Sequence, residues 1–193
     1  MDNSVFIDQS RPVAEKFFKM KEEGSSDLEE VTTRLQQLVQ EDPDFLEPYL
    51  VLEEVYTETG KHDKATEVLD EAFNRAVNLL SDDEGNWPDE IPWMADENRH
   101  IIRTILHKAL SEWEHRNWQH ALDLFRLLLM TNPNDNIAAR FYILAIRMGF
   151  TFAGFEDRFN KGGYYDSELN EWFDEHVERF PDEFEWWLKK VEE

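Results

Sequence analysis

Residues 43–72 read PDFLEPYLVLEEVYTETGKHDKATEVLDEA, and this stretch decides the fold. Proline lacks an N–H and disfavours helix in the residue before it, so Asp42-Pro43 ends whatever precedes. A helix is predicted from near Asp44, with Leu52, Val55 and Tyr56 on one side, running to Gly60. A second helix follows, carrying Ala65, Val68, Leu69, Ala72 and Ala76 at helical spacing. The first offers large side chains and the second small ones, so two antiparallel helices can approach closely at the alanines.

The same punctuation extends in both directions. Upstream, Val13, Phe17 and Met20 form one stripe, and Gly24-Ser25-Ser26 stops it. Ser26 and Glu29 have the spacing of a capping box, opening a helix with Leu28, Val31, Leu35, Leu38 and Val39 on one face. Downstream, Asp82 to Trp93 is a break rich in acid, Pro and Trp. Helical spacing resumes with Ile102, Ile105, Ala109 and Trp113, and again with Ala121, Leu124, Phe125 and Leu128. Pro133-Asn134-Asp135-Asn136 is a turn and cap cluster before Phe141, Ile143, Leu144 and Ile146. Leu169, Trp172, Phe173, His176, Val177 and Phe180 make one apolar stripe. After Pro181, Asp182 and Glu185 read as another capping box, and Phe184, Trp187, Leu188 and Val191 as a final short helix. No period-2 strand competes. The expectation is an all-α chain built from helix pairs.

Composition narrows the function classes. The 193 residues hold 20 Lys+Arg against 43 Asp+Glu, for a formal charge of −23. That balance argues against a phosphate-backbone partner, whose counterions must be displaced by Lys/Arg, and against anionic membranes. With 14 Phe, 7 Trp and 5 Tyr the chain is too aromatic for a disordered acidic tail. Zero Cys removes disulfides, thiolate metal sites and thiol catalysis, and fits a reducing cytoplasm. No apolar run approaches the ~18–20 residues of a membrane span, and Met1 to Phe18 has no signal-peptide core.

Repeats explain the helix pairs. The tetratricopeptide pattern is W-x2-L-G-x2-Y…A-x3-F…P over 34 residues. Tyr49-x2-Leu52-Glu53-x2-Tyr56 and Ala65-x3-Leu69 follow it, with Glu53 in place of Gly. Ala121-x3-Phe125 with Pro133, and Val31-x3-Leu35 with Pro43, repeat its second half. Over about residues 12–150 the chain therefore resembles a tetratricopeptide-repeat protein, interrupted by an insertion around 81–95 that holds Trp87 and Trp93. Asn86-Trp87-Pro88, Glu97-Asn98-Arg99 and Asn132-Pro133-Asn134-Asp135-Asn136 are also similar to bacterial repeat proteins distantly related to the suppression-of-tumorigenicity family. The resemblance implies an α-solenoid of about three hairpins over 1–150. Its inner helices would lie near 44–59, 96–115 and 135–149, its outer helices near 62–80 and 118–131, and an acidic two-helix cap over 151–193. It also implies protein binding on the inner helices. The family's carboxylate clamp is not matched, since Leu50 and Glu54 stand where it uses Lys and Asn.

Signs of chemistry are sparse. Glu97/His100 and Glu112/His115 are E-x-x-H pairs, the di-iron spacing when two different helices supply them. Both fall on one predicted helix, roughly 22 Å apart at the helical rise, so they cannot share a metal pair. No nucleophile elbow or phosphate loop occurs, and Lys161-Gly162-Gly163 reads as a turn. No catalytic residue, cofactor or metal is expected. The alternatives are a small helical enzyme or metal protein using the His-bearing helix 96–115, and an acidic decoy that shields a partner's basic surface.

Charge placement is more informative than its total. Residues 96–150 carry 7 Lys/Arg and 6 acids, while the remainder is strongly acidic. Arg99 and Arg103 lie one turn apart, and Arg140 and Arg147 two turns apart on the next inner helix. Either this strip receives an acidic peptide or protein, with Leu106, Leu110 and Phe141 adding apolar contact, or the arginines answer the chain's own carboxylates. Trp87 and Trp93 are the second candidate surface, unless they pack back on the hairpins. The reading is a non-catalytic interaction module that holds a peptide or protein segment in a concave groove.

Overall fold

The computed structural model describes residues 4–191. Among the described residues the regular structure is helical, with β pairing limited to the isolated bridges Val5–Glu90 and Asn160–Tyr165. The chain divides into two compact units, Met1–Lys108 and Ala109–Glu193.

In the first unit α1 (Val13–Glu23), α2 (Leu28–Glu41), α3 (Glu47–Glu58) and α4 (His62–Leu80) each pack on the next. The cap of α2 is Asp27 rather than Ser26: its carboxylate accepts the N–H groups of Glu29 and Glu30. Gly60 turns α3 into α4 with φ +70°, a conformation open to glycine at no steric cost, and Lys61 N–H closes the turn on the Tyr56 carbonyl at 2.8 Å. Ala65, Ala72 and Ala76 are buried along α4, and Phe17, Leu35, Phe45 and Leu52 fill the space among α1 to α3. The insertion after α4 is pinned by the extended N-terminal segment: Phe6 N–H donates to Glu90, Glu90 N–H to Ser4, and Ile91 is fully buried. A 3-10 turn, Asp96–Asn98, leads into α5 (Arg99–Glu114), within which the boundary between the units falls.

The second unit is organised around rings. Trp113 is 1% exposed and meets Phe125, Tyr142, Phe152 and Phe155 with ring centroids 5.5–6.3 Å apart. Its indole N–H donates to the Phe150 carbonyl at 3.1 Å, as a buried tryptophan requires. Fully buried Ala121 belongs to α6 (Trp118–Thr131), which packs on α7 (Ala139–Arg147). The predicted inner helix 135–149 is shorter, because Asp135 and Ala138 take left-handed φ of +48° and +64° and delay its start. An unanticipated helix, α8 (Phe152–Phe159), joins the aromatic cluster, followed by α9 (Glu168–His176), the 3-10 turn Val177–Arg179 and α10 (Pro181–Val191). Asp182 and Glu185, read as a capping box, instead face Arg147 and Lys189. The expected boundary at 150/151 thus lies inside this unit: Phe155 packs on Trp113 and Tyr142, and Phe150 on Trp172.

Candidate functional site

A cleft of about 570 Å³ opens in the first unit beside α1 and the start of α5. Residues 9–12 and α1 supply Arg11, Glu15 and Phe18, the turn before α3 supplies Phe45, and α3 itself supplies Glu47. From the far side come Asp96, Glu97, Arg99, His100 and Arg103. Phe18 lies off the Val13/Phe17/Met20 stripe that faces the core, which leaves its ring 51% exposed at the cleft.

Behind the cleft lies a buried polar knot. The Asp8 carboxylate takes Arg11 through both oxygens, at 2.6 and 3.0 Å, and His100 Nε2 at 2.9 Å. Arg11 also reaches Asp42 at 2.9 Å. Leu46 N–H donates to His100 Nδ1 at 3.2 Å, which assigns the ring proton to Nε2 and makes Asp8 its acceptor. Asn98, fully buried, accepts the Asp8 N–H and donates to the carbonyls of Phe6 and Pro92. Burial pushes the Asp8 pKa up, but the hydrogen bonds from His100 and Arg11 and the guanidinium charge outweigh it and hold it down at about 2. His100 therefore lines the cleft with both nitrogens engaged, and its ring offers neither a lone pair nor a proton to a molecule there.

The arginines singled out from the sequence all meet carboxylates of their own unit. Arg99 pairs with Asp96 at 2.8 Å and donates Nε–H to the Trp93 carbonyl at 3.1 Å. Arg103 donates to Glu47. Both guanidiniums stand over the Trp93 ring, 5.3 and 5.6 Å from its centroid. So Arg99, Arg103 and Trp93 do come together, with Leu106 and Trp87 half-buried elsewhere in this unit.

In the second unit Arg140 donates to Asp135 at 2.6 Å and covers the Phe141 ring at 3.9 Å, while Phe141 is buried against Phe173. Leu110 is half-buried. Arg147 reaches Asp182 and Glu183, and Arg126 reaches Glu183 as well. Burial raises the Glu183 pKa, but the two arginines more than offset it and hold it below the usual carboxylate range. A smaller hollow of about 200 Å³ lies there, lined by Arg126, Met130, Ile143 and Trp186.

The histidines separate from the glutamates that made their motifs. His115 Nδ1 lies on the Ser111 carbonyl at 2.7 Å, and Glu112 instead takes Asn117 and His120. His107 faces Glu53 at 3.7 Å. Among the described residues no group of three or more His, Asp or Glu is placed to hold a metal ion, and no helix is long and apolar enough to cross a membrane. Sequence reasoning missed Arg11, Glu15, Phe18 and Glu47. An aromatic beside, rather than on, a buried stripe was the one signal that could have found Phe18. Comparison with known protein families, with curated proteins and with solved structures brought no match.

Proposed function

We propose that this chain is a non-catalytic protein-interaction module of tetratricopeptide type, of the bacterial, cytoplasmic kind its sequence resembles, holding a peptide or protein segment in a helical groove. The cleft beside α1 and α5 is the observation that supports this most. Its volume of about 570 Å³ admits side chains of a partner, and it sets an exposed aromatic ring beside charged groups. Aromatic anchors with a polar surround are the usual composition of such recognition surfaces.

Affinity capture with the intact chain at moderate salt, repeated with Phe18→Ala, tests the reading. Phe18 is half exposed, so its truncation should leave the melting temperature nearly unchanged. Proteins retained by the parent chain and lost from Phe18→Ala support the cleft as the groove. Identical capture by both overturns it.

A further inference from the structure

We propose that the segment held in this cleft is basic: a stretch bearing Lys or Arg beside one apolar residue, which seats on Phe18. The inference rests on the interaction-module reading and adds the chemistry of the partner. It follows from where charge in the cleft is already met. Arg11 is held by Asp8 and Asp42, Arg103 by Glu47, and Arg99 by Asp96. The face of Trp93 already carries two guanidiniums, so it is not open to a third cation.

Two carboxylates remain. Among the described residues Glu15 and Glu97 have neither an ion pair nor a hydrogen bond through their side chains, and both are exposed at the cleft. An incoming anion would have to displace Glu47 or Asp96 from its arginine while facing these two charges. A cation meets them with nothing to displace. The Phe18 ring, 51% exposed, adds apolar surface and a face that attracts cations. At long range the chain's charge of −23 draws basic partners and repels acidic ones.

The test uses the full chain and three synthetic dodecapeptides of equal length. One is Lys/Arg-rich with a central Phe, one has the same bases with Ala in place of Phe, and one has Asp/Glu in place of the bases with the Phe kept. Binding is read by fluorescence anisotropy at moderate salt, alongside capture from lysate. The basic Phe peptide should bind best. Glu97→Gln and Glu15→Gln should each weaken it about two- to fivefold, as expected for exposed charge pairs, and Phe18→Ala should weaken it further. Glu171→Gln, an equal charge change at an exposed position of α9, should not alter it. If Glu97→Gln and Glu171→Gln act alike, the peptide is binding the acidic surface at large, and the proposal falls. It falls too if the acidic peptide binds best and needs Arg99 and Arg103, or if no peptide binds while capture from lysate still depends on Phe18; the module reading survives both of these results. If neither peptides nor captured proteins respond to any cleft substitution, both readings fail.

Discussion

Asp8 in the first unit and Asp135 in the second are both buried carboxylates facing an arginine, yet their surroundings move their pKa values in opposite directions. Asp8 has a 5% exposed side chain, two contacts from Arg11 and a third from His100, and its pKa falls to about 2. Asp135 has a 1% exposed side chain and three donors of its own, one from the Arg140 guanidinium and the backbone N–H groups of Ala139 and Arg140, yet burial leaves its pKa above the usual value. Desolvation acts upward on both. What differs is the kind of donor and the depth of burial. All three donors to Asp8 are side-chain groups, two of them from one guanidinium, whereas Asp135 is more deeply buried and two of its three donors are neutral backbone N–H groups. The ion pair alone therefore does not decide the sign.

The largest test of that contrast is Asp8→Asn. It leaves Arg11, whose side chain is 4% exposed, with Asp42 as its remaining carboxylate, and one neutral amide oxygen where two charged carboxylate oxygens had received Arg11 and His100. Breaking a buried pair from one side costs about 3–5 kcal/mol. Urea unfolding followed by hydrogen exchange in α1 and α3 should show that loss, and a loss under 1 kcal/mol would mean that the knot is solvated.

The pH dependence should separate the same two residues. A depressed carboxylate pKa adds stability that is complete above the ordinary value, 3.8 for Asp, and fades as pH falls from there through about 2. The stability gap between the parent chain and Asp8→Asn should therefore shrink by about 2 kcal/mol across that window. Asp135 works the other way. Its raised pKa costs stability at neutral pH, and this cost is relieved as pH falls through the folded value toward 3.8. A gap for Asp8→Asn that stayed constant from pH 5 to 2 would contradict the donor argument.

An apolar change in the second unit gives a scale for these polar effects. Ala121 is fully buried in α6, so Ala121→Leu should overpack it and cost about 1–3 kcal/mol by urea midpoint. A neutral result would show that the small residue is not required where α6 meets its neighbours.

Asp135→Asn should be the mildest core change, about 1 kcal/mol or less. Asparagine keeps an acceptor for the Ala139 N–H, tolerates φ of +48°, and carries no charge to desolvate. Exposed Glu29→Gln sets the floor, within about 0.5 kcal/mol. Were Asp135→Asn as costly as Asp8→Asn, the contrast between the two carboxylates would disappear.

The sequence by itself determined most of the helices, though not α8, and which of their faces are buried. Spacings of three and four placed Val13, Phe17, Leu52, Ala65, Ala121 and Phe125 in the interior, because a helix turns its apolar stripe to one side whatever lies beyond it. It assigned Arg99 and Arg103 to one candidate strip and Trp93 to another surface, and the fold stacks both guanidiniums over that indole. Tertiary structure alone decided which carboxylate each arginine meets. Arg103 finds Glu47 across 56 positions, Arg126 finds Glu183 across 57, and His100 finds Asp8 across 92. In a chain with 43 acids any of them could serve, and charge has no periodicity to say which. The cleft was hidden for the same reason: its walls come from residues 9–18, 45–47 and 96–103, segments that only the packing of the helices brings together.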